Sequence, residues 1–188
     1  MVRALRSDAV RNRQRLLETA TEVFATAGVG VPLESIAARA GVSIGTLYNH
    51  FSDRDGLVEA VLGEALERLM AVADAAAGLD DPWAAFEALV RGTCELQAQD
   101  RAVADILGRR YPPPTGTVHA ACDHLMDRFV EIIERGKRAG VLRHDLVVDD
   151  IGPIMWSNAR IIEASGTEMP DAWRRHLGFI LDGLRTPS

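Results

Sequence analysis

Along the chain, apolar positions recur at helical spacing and do not alternate. Leu16, Leu17, Ala20, Val23 and Phe24 fall at i, i+3, i+4 and i+7 steps, one stripe of a 3.6-residue period. β-Branched runs bounded by turn residues, the mark of strands, are missing. The pattern predicts an all-α protein of about nine helices. The first should run from about Asp8 to Ala27, with Gly28 ending it. A second covers Leu33 to Ala40, with Pro32 suited to the first turn and Gly41 free to take the positive φ of a tight exit. A third covers Ile44 to Phe51, with Ser43 as N-cap accepting from the N–H of Gly45 or Thr46. Ser52 or Asp53 caps a fourth that begins near Arg54 and runs through Leu57, Val61, Leu62, Ala65, Leu66 and Leu69 to about Ala77.

Past a break at Gly78 to Asp81, Asp81-Pro82 reads as N-cap followed by proline at the first helical position, and helix five reaches about Gln99. A short helix, Arg101 to Arg110, stops at Pro112 to Pro114. Helix seven runs from about Thr115 to Ala139 and ends at Gly140. Leu142 to Val148 is a connector. Asp149 opens helix eight, to about Ser165, with Pro153 in its first turn. The last helix, Pro170 to Leu184, carries Trp173, Leu177, Ile180, Leu181 and Leu184 on one stripe.

With 188 residues and 47% hydrophobic content, the chain can bury a sizeable core as one ordinary domain or two small ones. Its net charge of −6 argues against nucleic acid as a partner, but the distribution changes that picture. Arg3, Arg6, Arg11, Arg13 and Arg15 stand near the N-terminus against Asp8 alone, and the acidity lies elsewhere. No apolar run reaches the roughly 18 residues of a membrane span, and charged residues occupy the place of a secretory signal. A cytoplasmic protein with no membrane partner is expected. Cys94 and Cys122 form no CxxC pattern and read as buried reduced thiols.

The stretch GVSIGTLYNHF, Gly41 to Phe51, carries the chemistry. Two short helices joined by a tight glycine-containing turn form a helix-turn-helix, whose second helix enters the DNA major groove. Gly45 has no Cβ to hinder close approach. Thr46, Tyr48, Asn49 and His50 offer donors to phosphate oxygens, while Leu47 and Phe51, four apart, hold the helix to its own core.

From these residues the chain resembles the tetracycline-repressor (TetR) family of bacterial transcription regulators. LESIAARAGVSIGTLYNHFSDRDGL, Leu33 to Leu57, has the IA, AGVS and GTLYxHF elements followed by a basic residue and a leucine. The resemblance is specific over about residues 10–62. It implies an N-terminal three-helix DNA-binding domain, residues 1–55, and a C-terminal helical effector-binding and dimerisation domain, residues 56–188. It further implies that Thr46, Tyr48 and His50 contact phosphates, with Ser43 and Asn49 beside them, and that Ile44 and Gly45 face base edges. Arg54 stands where the family mostly has a phosphate-reaching lysine, and its fork is bidentate. The arginine-rich arm before helix one extends the reach to an adjacent groove or to phosphates. There are two departures. Pro32-Leu33 replaces a Thr or Ser pair, and Ile44 fills an often polar position, offering a thymine methyl an apolar contact but no hydrogen bond.

The family also places an effector pocket in the middle helices and a dimer interface on the last two. Candidates for the pocket are Trp83, Phe86, Leu107, Tyr111, Leu125, Met126, Phe129, Met155 and Trp156, with Cys122, His119, Gln97 or Asn158 as polar handles, which suits an apolar or aromatic effector. Candidates for the dimer interface are Ile154, Ile161, Ile162, Trp173, Leu177, Ile180 and Leu181. His119, Cys122 and Asp123 share a helical face at metal-ligand spacing, but His124 and Asp127 rotate away and no second cluster completes four ligands, so neither a metal nor a cofactor is expected. The function implied is a homodimeric, ligand-responsive repressor on a palindromic operator in double-stranded DNA. The alternatives are a helical small-molecule-binding or interaction module without DNA binding, and an enzyme on a helical scaffold. Against the enzyme, no Ser–His–Asp spacing, phosphate loop or paired carboxylates are found.

Overall fold

A computed structural model describes residues 2–108 and 117–186, with the backbone alone at residues 2–7, Glu64 and Thr117. Among the described residues there are nine α-helices, one 3-10 turn and no strand. The first helix, α1 (Val2–Ala27), stops where the Gly28 N–H reaches the Phe24 carbonyl at 2.9 Å and Gly28 turns to φ +84°. It starts earlier than Asp8, so the backbone of the expected arginine-rich arm is a helical extension of α1.

Next come α2 (Leu33–Arg39) and α3 (Ile44–His50). The turn between them is closed by backbone bonds from Gly41 N to Ala38 O (3.1 Å) and from Val42 N to Ala37 O (3.0 Å). That crossed pair requires the left-handed residue that Gly41 supplies at φ +68°, and it satisfies carbonyls that the end of α2 would leave unpaired. Ser43 then starts α3, its Oγ accepting from the Thr46 N–H at 3.1 Å. Asp53 starts α4 (Arg54–Ala77) in the same way, accepting from the Gly56 N–H at 2.8 Å.

The fifth helix, α5 (Pro82–Gln99), is capped by Asp81, and α6 (Arg101–Leu107) by Asp100, which also ends α5. After them comes α7 (Thr117–Arg138). The sixth helix stops at Leu107, with Gly108 ending it, short of the expected Arg110; the expected start of helix seven at Thr115 and the proline stop before it lie outside the described residues. Where one helix was expected from Asp149, a 3-10 turn, Val148–Asp150, precedes α8 (Ile151–Ser165). The Asp150 carboxylate accepts from the Val147 N–H at 2.9 Å and holds this turn tighter than an α-helix. The last helix is α9 (Ala172–Leu184). Its end is pinned to the connector after α7 by Arg143 N to Leu184 O and Thr186 N to Val141 O, both 3.0 Å.

A continuous apolar core joins these elements. Leu16, Ala20 and Phe24 of α1 meet Ile36 of α2, Leu47 of α3 and Leu57 of α4, all fully or nearly fully buried. Further along, α4 packs mainly on α5 and α7. It is therefore common to the three-helix unit and to the rest, and it crosses the boundary expected at residue 55. Among the described residues no helix is long and apolar enough to cross a membrane.

Candidate nucleic-acid interface and interior cavity

On α3 a single side chain, Leu47, is fully buried, and it sets the helix's orientation. With Leu47 inward, Ser43, Gly45, Tyr48 and Asn49 are exposed and Ile44, Thr46 and His50 are half-buried. Tyr48 keeps 49% of its surface in solvent, a high value for an aromatic residue that nothing covers. Phe51, 4% exposed, closes the end of α3 under the guanidinium of Arg13, 5.3 Å from its ring centre. Ser43 Oγ and Thr46 Oγ1 lie 2.9 Å apart, so the N-terminal hydroxyls stand together at the end where backbone N–H groups point outward. The surface is a short ridge of donors on a helix fixed from below.

Arg54 has partners inside the protein as well. Its Nη1 donates to the carbonyls of Val29 and Val31, each at 2.7 Å. Both carbonyls belong to the turn between α1 and α2, where no helix supplies a partner, and the guanidinium serves them from the first turn of α4. Nη1 of the fork thus acts as a strut inside the protein. Arg39 and Glu22, 3.3 Å apart, add an exposed tie between α2 and α1.

A half-open pocket of about 230 Å³ lies between α6, α7 and α8, lined by Ile106, Leu107, His119, Cys122, Asp123, Leu125, Met126, Ile151, Gly152, Met155 and Trp156. Of the expected pocket residues it brings together Leu107, Cys122, Leu125, Met126, Met155 and Trp156, with His119. Phe86 and Phe129 are not among them: both are fully buried, Phe86 on α5, which is covered on nearly every side, and Phe129 on the single buried stripe of α7. Trp83 is also elsewhere, beside Phe86 at the start of α5 with the Arg185 guanidinium 4.8 Å from its ring centre. Tyr111 lies outside the described residues. Gln97 and Asn158 are buried in the core and bond to each other, Asn158 Nδ2 donating to Gln97 Oε1 at 3.1 Å and Gln97 Nε2 to the Met155 carbonyl at 3.3 Å.

Ile106, Ile151, Gly152 and Asp123 were not singled out as lining. Gly152 has a readable cause, since the Trp156 indole lies where a side chain at position 152 would have to go. Burial pushes the Cys122 thiol up from its ordinary pKa, and the nearby Asp123 charge adds to this. Burial likewise pushes the Cys94 thiol up to about 12. Within the zinc-like set, His119 faces Asp123 at 3.5 Å, whereas His124 turns to Asp74 on α4 at 3.0 Å.

The stripe expected to be an interface is divided. Trp173, Leu177 and Leu181 are buried within the chain against the body formed with α8, and Ile154 is buried as well. Ile161, Ile162 and Ile180 are only partly covered. Phe179 at 64% exposure and Met169 at 60% are the apolar side chains that the reading missed. Phe179 lies two positions beyond Leu177, off the buried stripe, and that offset was its signal.

Residues 16–61 match the family model "Bacterial regulatory proteins, tetR family", and residues 81–186 match "Transcriptional regulator SbtR-like, C-terminal domain". The chain belongs to the TetR family. The transcriptional repressor KstR2 of Rhodococcus jostii is 28% identical, over 93% of this chain and 92% of its own length. A TetR transcription regulatory protein from Mycobacterium vanbaalenii is 31% identical, covers 97% of this chain and 99% of its own, and superposes with a TM-score of 0.51. The ketosteroid regulator KstR2 of Mycobacterium tuberculosis, at 21% identity, shares the fold with a TM-score of 0.68, over 93% of this chain and 95% of its own. As a TetR-family protein the chain is a DNA-binding transcriptional regulator with an N-terminal helix-turn-helix, and its relatives are regulators and not enzymes.

Proposed function

We propose that the protein is a cytoplasmic homodimeric repressor that holds a palindromic operator and releases it when a small apolar or aromatic effector enters the cavity between α6, α7 and α8. The observation that carries this reading is the surface of α3. Thr46, Tyr48, Asn49 and His50 lie around a helix whose one fully buried side chain is Leu47, an arrangement that presents donors to a phosphate backbone. In this reading residues 1–55 form the DNA-binding unit and residues 56–188 the effector-binding and dimerisation unit. Ser43, Thr46, Tyr48, Asn49 and His50 set the register on phosphates, and Ile44 and Gly45 approach base edges. Arg54 braces the turn behind them through Nη1 and offers the rest of its fork to a phosphate.

The effector class follows from the cavity's Met126, Met155, Trp156 and Leu107 walls, which suit an apolar, adaptable ligand. The exposed Phe179 and the half-covered Ile161, Ile162 and Ile180 support dimerisation, and two recognition helices must span half-sites about 34 Å apart. The test is selection of DNA from a random pool by the purified protein. A palindromic consensus whose binding weakens steeply with salt is expected, and absence of enrichment at low salt would refute the reading.

A further inference from the structure

We infer that Asp105, on the cavity helix α6, is a positioning residue for the recognition helix and fixes the attitude of α2 and α3 through a single backbone group. Val29 is fully buried in the turn between α1 and α2. Its N–H donates to Asp105 Oδ2 at 3.1 Å, and its carbonyl accepts from Arg54 Nη1 at 2.7 Å. A buried peptide needs both partners, and here the two come as side chains of opposite charge from α6 and α4. The turn that launches the helix-turn-helix is therefore gripped by α6 of the effector-binding half and by the first turn of α4, the helix both halves share.

The fit around this grip is specific. A side chain at Gly28 would overlap the Asp105 carboxylate, so position 28 has to be glycine for space as well as for its φ of +84°. Asp105 is 7% exposed, and its Oδ1 is held by Arg101 Nε at 3.3 Å. Arg101 Nη2 in turn holds Glu163 Oε1 on α8 at 2.8 Å. Ile106 and Leu107, the next residues of α6, line the cavity. A displacement of α6 against α8 thus acts on Asp105, and Asp105 acts on Val29. Its role needs no contact with DNA or effector.

This inference rests on the DNA-binding reading above, and the two fail differently. The experiment measures the affinity of the full-length protein for the fragment recovered in the selection, together with amide exchange at Val29 and the melting temperature. Asp105→Ala should weaken binding by about tenfold or more and release the Val29 amide to exchange. Asp105→Asn, whose amide oxygen can still accept from Val29, should recover most of the loss. Leu89→Ala, in the core of α5, should lower the melting temperature at least as far while keeping affinity within about twofold. If Asp105→Ala does not fold, Arg101→Met is read instead, with binding about threefold weaker. Wild-type affinity in the Asp105→Ala protein (or in Arg101→Met where that replaces it), absence of rescue by Asp105→Asn, or an affinity loss that tracks melting temperature in Leu89→Ala overturns the inference and leaves the regulator reading intact. Failure of the selection itself overturns both.

Discussion

The helix-turn-helix and the helical body behind it are packed by one rule and finished in opposite ways. In α2 and α3 the apolar residues point to one side, Leu33, Ile36, Ala37 and Leu47 being buried, and the polar groups remain outside. Behind them the body encloses polar groups, Thr93, Gln97 and Asn158, and leaves a cavity of about 230 Å³. A reading head benefits from a closed, rigid underside, since its recognition groups must hold position against a phosphate lattice. A sensing body benefits from incomplete filling, since a ligand's contacts must come from space the protein leaves open. Rigidity and vacancy are divided between two parts of one chain, with α4 common to both.

That comparison can be broken most directly at Leu47. Truncation to alanine should cost about 2–5 kcal/mol, read by urea denaturation, because α3 has no second fully buried residue to hold it. A cost below about 1 kcal/mol would mean that the underside is not closed. Next in size are the turn variants. Gly41→Ala forces a side chain into φ +68°, at about 1–2 kcal/mol, and Ser43→Ala removes the cap on Thr46, at about 1 kcal/mol. Both should lower the melting temperature. On the other side, Met126→Ala at the half-buried cavity wall should cost only about 0.5–1 kcal/mol, because it enlarges a space already present. A loss as large as that of Leu47 would contradict the vacancy of the body.

Tyr48→Phe sharpens the contrast without touching packing. Stability should stay within about 0.5 kcal/mol of wild type, while affinity for the selected DNA falls about tenfold through loss of a hydrogen bond to a charged oxygen. Equal binding in a gel-shift titration would remove Tyr48 from the interface. The smallest expected effect is chemical. With its thiol pushed up to about 12 by burial, Cys94 has almost no thiolate at pH 8 and should resist alkylation in the native protein. Cys122, at the cavity wall, should react slowly, and mass spectrometry of labelled peptides distinguishes the two. Labelling of Cys94 as fast as Cys122 would show that the body opens readily.

The helices were legible because their ends are written locally. Ser43, Asp53 and Asp81 each cap the helix that follows, and Gly28, Gly41 and Gly140 each take positive φ where a helix stops. The outward set on α3 was legible for the same reason: once Leu47 is inward, a seven-residue helix has little freedom. Lateral partners were not legible. Whether Phe86 and Phe129 line a void or fill a centre depends on how many neighbours α5 and α7 have, and helical periodicity shows a stripe without showing what lies opposite. Arg54 illustrates the same limit, since its carbonyl partners precede it by 23 and 25 residues. Asp105 left one trace, an acidic residue set between Ala104 and Ile106 in a short apolar helix, but nothing in the sequence named Val29 as its partner.

The path of α4 bears on how such proteins diversify. One helix of 24 residues begins under the reading head and ends against α5 and α7, so no peptide bond between residues 54 and 77 separates the two halves. A recombination at residue 55 would sever α4 in its first turn. One at Gly78 would transplant the head together with a helix shaped to another body's α5 and α7. Shuffling of intact halves is thus a poor route to new sensors on this scaffold. Point substitution around the cavity, under a head held constant, is the open one.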